Sequence, residues 1–596
     1  MLVKSELLNL AFQKCGYDSA FLSNVRRNYY DGFLKDEEAL VNELYTKYCN
    51  RSDKHLVIYP DHDVDGIFSW MDLLAGLSIL GVNVSVFVPK VDRGYGFHLE
   101  DVEDILAQYS DVTGIITCDV GVTGFEACAC AKLHGLDMYV TDHHNEVFLG
   151  DDKKRITEIA DLVVDPCRLD EDYEFTSVCG AFVAFHIMQR LARKFDASKQ
   201  DLVDKLKVFA MIGSLGDSMI MRHDTLNVCQ DGIKMFRKLV KCVDGDFTPF
   251  FNEKQKHDID SLPANYRLPF EGLYAYMLFL MSQQTVTSDT VFDFTFMHFT
   301  IIPRLNSPRR MGESIDIIYK CFCVDYDTFG EYVDSFTELE TMNTRRKELV
   351  DKVMANIDTF RVTDYIYDIT TLGIPAGLYG LIATKLIGIG LPFAFVGSRA
   401  DGCINGSGRA CGGLDGQLLR DGTICILGHD NAFGFSLRYE DIKGYQKHLE
   451  DLVDAIRVQS LGTGIASDPY DGLVHVGFGD ADKLSYDYIY TDKSSDDCYN
   501  YAYDVQQLDC FDTGFEEPEF VLDFKKSDVD EIKIIGKKGT TLRIVFKNGL
   551  KIIFFNGADY LDMYEKSDKP KEILGTFGLN KFRGSYSLQF MAKGVF

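Results

Sequence analysis

From His55 to Asp165 the chain repeats one pattern, a short β-rich run followed by a helical stretch. The expected strands are His55–Tyr59, Val82–Val88, Thr113–Cys118, Leu136–Thr141 and Asp161–Val164. Helices are expected near Ile67–Leu80, Leu99–Tyr109 and Phe125–Leu133. Strands this short and apolar are typical of parallel strands buried on both faces. Their alternation with helices predicts βαβ units and a parallel sheet. The pattern also locates function, because open α/β sheets bind ligands at the carboxyl ends of their strands. Asp61, Asp63 and Asp65 follow the first expected strand, and Asp119 the third. Asp142, His143 and His144 follow the fourth, and Asp165 the fifth. A single Asp in such a place is ordinary capping. Six Asp and two His at four strand ends are more than capping requires.

The loop Pro60-Asp61-His62-Asp63-Val64-Asp65-Gly66 packs three carboxylates into five residues. So much charge in one loop is costly unless a cation neutralises it. Carboxylates with imidazole and no thiolate suit Mn²⁺ or Mg²⁺, with histidine favouring Mn²⁺. Two such ions about 3.5–4 Å apart would activate a water and clamp a phosphate for in-line displacement. The plainer alternative is a solvated acidic turn, and Asp119 with His143–His144 weighs against it.

Beyond this region, Glu331–Phe360 has no Gly or Pro, and its apolar residues recur at mostly three- or four-residue spacing. It reads as one long amphipathic helix bridging two lobes. A second α/β region follows from Asp364 to Leu452, with glycine-rich turns at Asn405–Ala410 and Gly428–Gly434. Strands are then expected at Glu531–Ile535, Thr541–Phe546, Lys551–Phe555, Ile573–Phe577 and Ser585–Met591, which suggests a small all-β barrel or sandwich. Residues 1–54 look helical and carry no readable motif.

Composition bounds the rest. A 596-residue chain that is 46% hydrophobic and 26% charged is an ordinary globular protein of several domains. The most membrane-like stretch, Gly373–Gly397, contains Lys385, Pro375, Pro392 and six glycines and reads as α/β core. Met1-Leu2-Val3-Lys4 opens no secretory signal. The sixteen cysteines form no CxxC pair, so neither a zinc site nor a disulfide framework is indicated, and a reducing cytoplasm is expected. The net charge of −29 argues against a nucleic-acid partner, but it hides an asymmetry. Residues 465–524 carry a net −13, and residues 525–596 a net +6. Two differently solvated surfaces would explain that; so would a nucleic-acid-binding module on an acidic body. In the basic block, Arg543, Lys547, Lys551, Lys581 and Arg583 lie near Phe546, Phe554, Phe555, Phe582 and Tyr586. Alternation in strands makes at least half of these aromatics packing residues.

Asp63-x-Asp65-Gly66, Asp119-Val-Gly121 and Asp142-His143-His144 resemble the motifs of the DHH phosphoesterases, and more closely those of the RecJ single-strand-specific exonucleases. The resemblance continues in family order. It includes Arg93-Gly-Tyr-Gly96, Asp165-Pro166 with Ser177–Ala184, Ile212-Gly-Ser-Leu-Gly-Asp217 and Pro303-Arg-Leu-Asn306 to Arg310. It runs on through Met342-Asn-Thr-Arg-Arg346, Gly406-Ser-Gly-Arg409, Gly428-His429 to Gly434, and Leu579-Asn580 to Gln589. The sequence departs from the family pattern at Phe182, at Pro308-Arg309 and at Leu427 and Phe433, where smaller residues are usual. Leu427 and Phe433 would narrow the pocket between lobes.

The resemblance implies an α/β fold with two lobes, DHH with a parallel sheet and DHHA1, joined by a long helix and followed by a C-terminal all-β OB-like domain. The implied divisions are a helical extension (1–54), the DHH domain (55–230), a connecting region (231–330), the bridging helix (331–360), DHHA1 (361–465), an acidic connector (466–518) and the OB-like domain (519–596). Asp63, Asp65, Asp119, His143 and Asp217 would be ligands of two Mn²⁺ or Mg²⁺ ions, with Asp119 bridging and Asp61 either a third ligand or a group that supports the ligands from behind. His144 would assist an ion or the scissile phosphate. Arg310, Ser407, Arg409, His429, Asn306 and Arg304 would hold the substrate, with Ser407, Arg409 and Arg310 at its 5′ end. The implied activity is hydrolysis of single-stranded DNA from the 5′ end into mononucleotides, in DNA repair or recombination. The implied protein is a cytoplasmic monomer, free of membrane, with a single-strand-binding protein or a helicase as candidate partner. The alternatives are a DHH–DHHA1 phosphodiesterase of short oligonucleotides or cyclic dinucleotides, and a non-catalytic replication scaffold. The long helix and OB-like tail count against the first, and the full ligand set against the second.

Overall fold

The protein is described by a computed structural model covering residues 5–25, 32–150, 153–242, 247, 250–251, 262–326, 328–389, 391–410, 416–428, 431–462, 474–478, 484–486, 494–536, 539–567 and 571–595. The first lobe is built on five parallel strands, β1 (Leu56–Pro60), β2 (Val84–Val86), β3 (Gly114–Cys118), β4 (Asp137–Thr141) and β5 (Leu162–Val164), in the order β2-β1-β3-β4-β5. Every residue of β1 and β3 is buried. Leu56, Ile58, Ile116 and Tyr139 face one core, while Val57, Ile115, Met138 and Val140 face another. Both faces are therefore covered, as parallel sheets require. Helices Val64–Ile79, Gly180–Phe195 and Lys207–Gly216 pack on one another on one side and carry much of the larger core.

The long helix spans Phe329–Met354. It starts at a capping box in which the Thr328 N–H donates to Glu331. It ends before the expected Phe360: Ile357–Phe360 tightens into a separate 3-10 turn. Its two halves serve different cores. Phe336 and Leu339 belong to the first lobe, and Val350 and Val353 to the second. The second lobe has strands β6 (Ile366–Asp368), β7 (Phe393–Ala400), β8 (Cys403–Ala410), β9 (Ile424–Gly428) and β10 (Ala432–Arg438), ordered β6-β7-β8-β10-β9.

The C-terminal sheet has eight strands: β11 (Val474–Phe478), β12 (Leu484–Tyr486), β13 (Phe520–Phe524), β14 (Val529–Ile535), β15 (Thr541–Phe546), β16 (Lys551–Phe554), β17 (Lys571–Phe582) and β18 (Ser585–Val595). Their order is β12-β11-β13-β17-β18-β16-β15-β14. In β15, Leu542, Ile544 and Phe546 alternate inward, the period of a half-buried strand. β17 and β18 form a hairpin whose turn residues Arg583 and Gly584 both have positive φ (51° and 79°), the backbone that matches strand twist.

Two connections depart from the reading of the sequence. The stretch 466–518 is not only a connector, because β11, β12 and helix Ser494–Leu508 belong to the C-terminal sheet or pack on it. Residues 1–54 are divided between two bodies. Helix Glu6–Lys14 buries Leu7, Leu8, Ala11 and Phe12 in the C-terminal core. Helix Glu37–Glu43 packs on the first lobe, where Glu37 meets His186 at 2.5 Å. At the hairpin turn, the Arg583 and Gly584 N–H groups donate to Asp289, at 2.7 and 3.1 Å, tying the C-terminal sheet to the loop after helix Ala264–Ser282. No helix of the described residues is long and apolar enough to cross a membrane.

Candidate active site

β1 passes into helix Val64–Ile79 through Asp61, His62 and Asp63. Asp63 caps that helix: its Oδ1 accepts the N–H groups of Asp65 (3.0 Å) and Gly66 (3.3 Å). Asp65 faces the start of helix Gly180–Phe195, where its carboxylate accepts the N–H groups of Gly180 (2.6 Å) and Ala181 (3.0 Å). That helix end favours a negative charge. Asp119 follows β3 with φ +62°, and its Oδ1 is buried and accepts no hydrogen bond. Asp217 closes helix Lys207–Gly216. Two glycines allow these groups to converge. A Cβ on Gly180 would stand 2.6 Å from Asp119 Cβ, and one on Gly213 would stand 2.5 Å from Asp65 Oδ1.

His143, after β4, completes the centre. Its Nε2 lies 3.0 Å from Asp119 Oδ1, 3.5 Å from Asp65 Oδ2 and 3.7 Å from Asp217 Oδ2. Ligand atoms fall into three groups that could each hold an ion: Asp65–His143–Asp217, Asp61–Asp63–Asp119 and Asp119–His143–His144. Asp119 and His143 each belong to two of them. Burial, then Asp65 and Asp63, pushes the Asp119 and Asp217 carboxyls well above the usual carboxylate range. Crowded carboxylates of this kind are relieved by a cation. The donor set, carboxylates with imidazole, fits Mn²⁺ or Mg²⁺.

The sequence reading placed Asp142 at a strand end and in the Asp142-His143-His144 motif but gave it no role of its own. In the fold it is fully buried and holds the site's second histidine. Asp142 Oδ2 accepts the Val122 N–H (3.0 Å), and Oδ1 accepts the His143 N–H (2.8 Å) and lies 2.8 Å from His144 Nδ1. Burial works against charge on His144, but the Asp142 hydrogen bond and charge outweigh it and raise the pKa to about 9. With Nδ1 engaged, Nε2 is the nitrogen left for a ligand.

Two arginines stand where this side meets the second lobe, Arg310 on the short helix Ser307–Met311 and Arg409 in the second lobe itself. Arg310 donates to the Gly377 carbonyl (3.2 Å), and a Cβ on Gly377 would lie 2.8 Å from Arg310 Cα. Arg409, in β8, donates to Ser407 Oγ (3.0 Å), and both crowd Gly380 at the start of helix Tyr379–Ile387. Burial, then Arg309 and Arg409, pulls the Arg310 pKa down to about 10. Guanidinium groups crowded in this way suit an arriving anion.

Other expected substrate residues sit differently. Arg304 is buried, with its Nε donating to Glu340 of the long helix (2.9 Å) and its Nη1 to the Thr300 carbonyl (2.8 Å). Asn306 Oδ1 accepts the Val64 N–H at 3.1 Å, pinning the 303–310 segment to the Asp63 loop. His429 lies outside the described residues. Phe433 points into the second-lobe core beneath Gly408, leaving only Leu427, 73% exposed, at the surface. Sequence reasoning missed Arg309. Its Nη1 donates to Asp63 Oδ2 at 2.6 Å, and its Nη2 lies 3.9 Å from Asp61 Oδ2. The one available signal was its departure from the family pattern.

In the C-terminal sheet, Phe546 is core, while Phe555 and Phe582 (each 62% exposed) and Tyr586 (43%) are open to solvent.

Comparison with known proteins agrees with this arrangement. Residues 55–214 match the DHH family, N-terminal domain, and residues 495–594 match the RecJ OB domain. The single-stranded-DNA-specific exonuclease RecJ of Bacillus subtilis is 23% identical over 477 residues, covering 76% of this chain; the chain spans about half (52%) of that protein's length. RecJ of Salmonella typhimurium is 25% identical over 432 residues, covering 68% of this chain and 67% of its own. The crystal structure of Thermus thermophilus RecJ in complex with Mn²⁺ has the same fold, with a TM-score of 0.66 at 18% identity over 99% of this chain and 76% of that one. The chain thus carries a segment similar to the DHH family, N-terminal domain, with Asp61, Asp63, Asp65, Asp119 and His143 in it, and behind it a segment similar to the RecJ OB domain.

Proposed function

We propose that the chain hydrolyses single-stranded DNA from its 5′ end into mononucleotides, using two Mn²⁺ or Mg²⁺ ions. The observation that carries this reading is the convergence of Asp61, Asp63, Asp65, Asp119, His143 and Asp217 into overlapping ligand groups opposite Arg310, Ser407 and Arg409. Bound ions would ease deprotonation of the attacking water and neutralise the phosphate. Asp119 belongs to the Asp61–Asp63–Asp119 group and lies 3.0 Å from His143 of the Asp65–His143–Asp217 group, which makes it the candidate bridge. His144, oriented by Asp142, presents Nε2 to the scissile phosphate or to an ion. Arg310 and Arg409 hold a terminal 5′-phosphate by charge-assisted hydrogen bonds, which sets the polarity. The complete ligand set argues against a scaffold role, and the RecJ OB domain against a small oligonucleotide phosphodiesterase.

The test is digestion of 5′- and 3′-labelled single strands with Mn²⁺, Mg²⁺ or EDTA. The 5′ label is expected to leave first as a mononucleotide, and EDTA to stop the reaction. Attack from the 3′ end, or activity in EDTA, would overturn the reading. The Arg310→Ala/Arg409→Ala variant is expected to lose about tenfold or more of the preference for a 5′-phosphate over a 5′-hydroxyl end. Competition kinetics between the two ends measures this, and an unchanged preference puts the 5′ pocket elsewhere.

A further inference from the structure

The two oxygens of Asp63 have different duties. Oδ1 is committed to the helix cap, through the N–H groups of Asp65 and Gly66. Oδ2 is the oxygen left for an ion, and Arg309 Nη1 holds it at 2.6 Å. The same guanidinium lies 3.9 Å from Asp61 Oδ2. Asn306 holds the segment in place through Val64 and sits one helical turn before Arg309, so the contact is built into the fold. Among the described residues, no other Lys or Arg is paired with any of the six proposed ligands. Arg309 thus touches the Asp61–Asp63–Asp119 group and leaves the Asp65–His143–Asp217 group alone.

We propose that Arg309 is a built-in competitor for one of the two ion positions, so that the Asp65–His143–Asp217 position fills first and the Asp61–Asp63–Asp119 position fills only when Arg309 gives up Asp63. This rests on the two-ion reading above and adds an order of loading to it. An ion entering the second position must displace a charge-assisted hydrogen bond, which weakens its binding about tenfold or more relative to a position with no such competitor. The side chain is 40% exposed, so the released guanidinium has solvent to move into. Arg309 is a positioning residue for the ions.

The experiment is Mn²⁺ titration of the full chain without nucleotide, following free Mn²⁺ by electron paramagnetic resonance. The wild type is expected to bind one ion tightly and a second at least about tenfold more weakly. Arg309→Gln and Arg309→Gly should strengthen the weak step about tenfold and leave the tight step unchanged, with Arg309→Lys between them. Asp217→Asn should weaken the tight step in either background. Thermal melts without metal check that each variant is folded, and the exposed Gln substitution guards against a helix effect of Gly. An unchanged weak step in both the Gln and Gly variants, with two-step binding intact, overturns the inference alone. Equal strengthening of both steps also overturns it, because that is a general field effect. Failure of the wild type to bind Mn²⁺ removes the two-ion reading and this inference with it.

Discussion

Asp119→Asn is expected to lower strand hydrolysis on the order of a thousandfold while leaving the fold intact. Asn is the better replacement than Ala because Asp119 has φ +62°, a conformation that Asn tolerates and Ala does not. The buried Oδ1 accepts no hydrogen bond, so the fold loses little when the carboxylate becomes an amide. The stability effect should change sign with metal. In EDTA the variant should melt at or above the wild type, because it removes a buried carboxyl whose ionisation Asp65, Asp63 and Asp61 oppose. With saturating Mn²⁺ the wild type should gain stability by ligand linkage and pass the variant. Retention of more than a few per cent activity, or equal stabilisation of both proteins by Mn²⁺, would rule out Asp119 as a shared ligand.

The second large effect is expected far from the metals. Phe555, Phe582 and Tyr586 project from the C-terminal sheet, within its basic 525–596 block, without contributing to its core. Stacking on bases is worth about 1–3 kcal/mol per base, so losing two such contacts would weaken binding of long strands about a hundredfold. The Phe555→Ala/Phe582→Ala/Tyr586→Ala variant should show that loss in the Asp119→Asn background. Its salt dependence should stay unchanged, since no phosphate-contacting charge is removed. Cleavage of very short oligonucleotides should survive. Undiminished affinity for long strands would make these rings ordinary surface residues. Surface substitution is also cleaner than truncating the chain near Phe520, because β13 lies inside the sheet and helix Glu6–Lys14 packs on the same core.

The centre was legible where chemistry follows local order. Asp61, Asp63, Asp65, Asp119 and His143 all lie just beyond strands that the alternation of β-rich and helical runs exposes, and such strand ends share one edge of a parallel sheet. Asp217 and Arg409 were legible only through family resemblance, since no periodicity announces a helix C-terminus or an antiparallel strand as a partner of that edge. Arg309 escaped because its meaning is a contact across 246 residues, set by how the 303–310 segment packs on the Asp63 loop. The contact of Arg304 with Glu340 of the long helix was hidden for the same reason, being set by packing between segments rather than by local order. The long helix was read six residues too far, because amphipathic spacing continues through a 3-10 turn that the apolar pattern does not distinguish.

The docking of helix Glu6–Lys14 on the C-terminal sheet has a consequence for synthesis. The Ser5 N–H meets the Asp504 carboxylate across 499 residues. At about 5–20 residues per second, the ribosome delivers the second partner roughly 25–100 seconds after the first. A nine-residue helix is too short to persist alone in water. Leu7, Leu8, Ala11 and Phe12 therefore wait as an exposed apolar segment while both lobes are made. A segment made long before its partner is among the last to fold, and through that interval it is the natural point of attack for a protease and the natural handle for a chaperone.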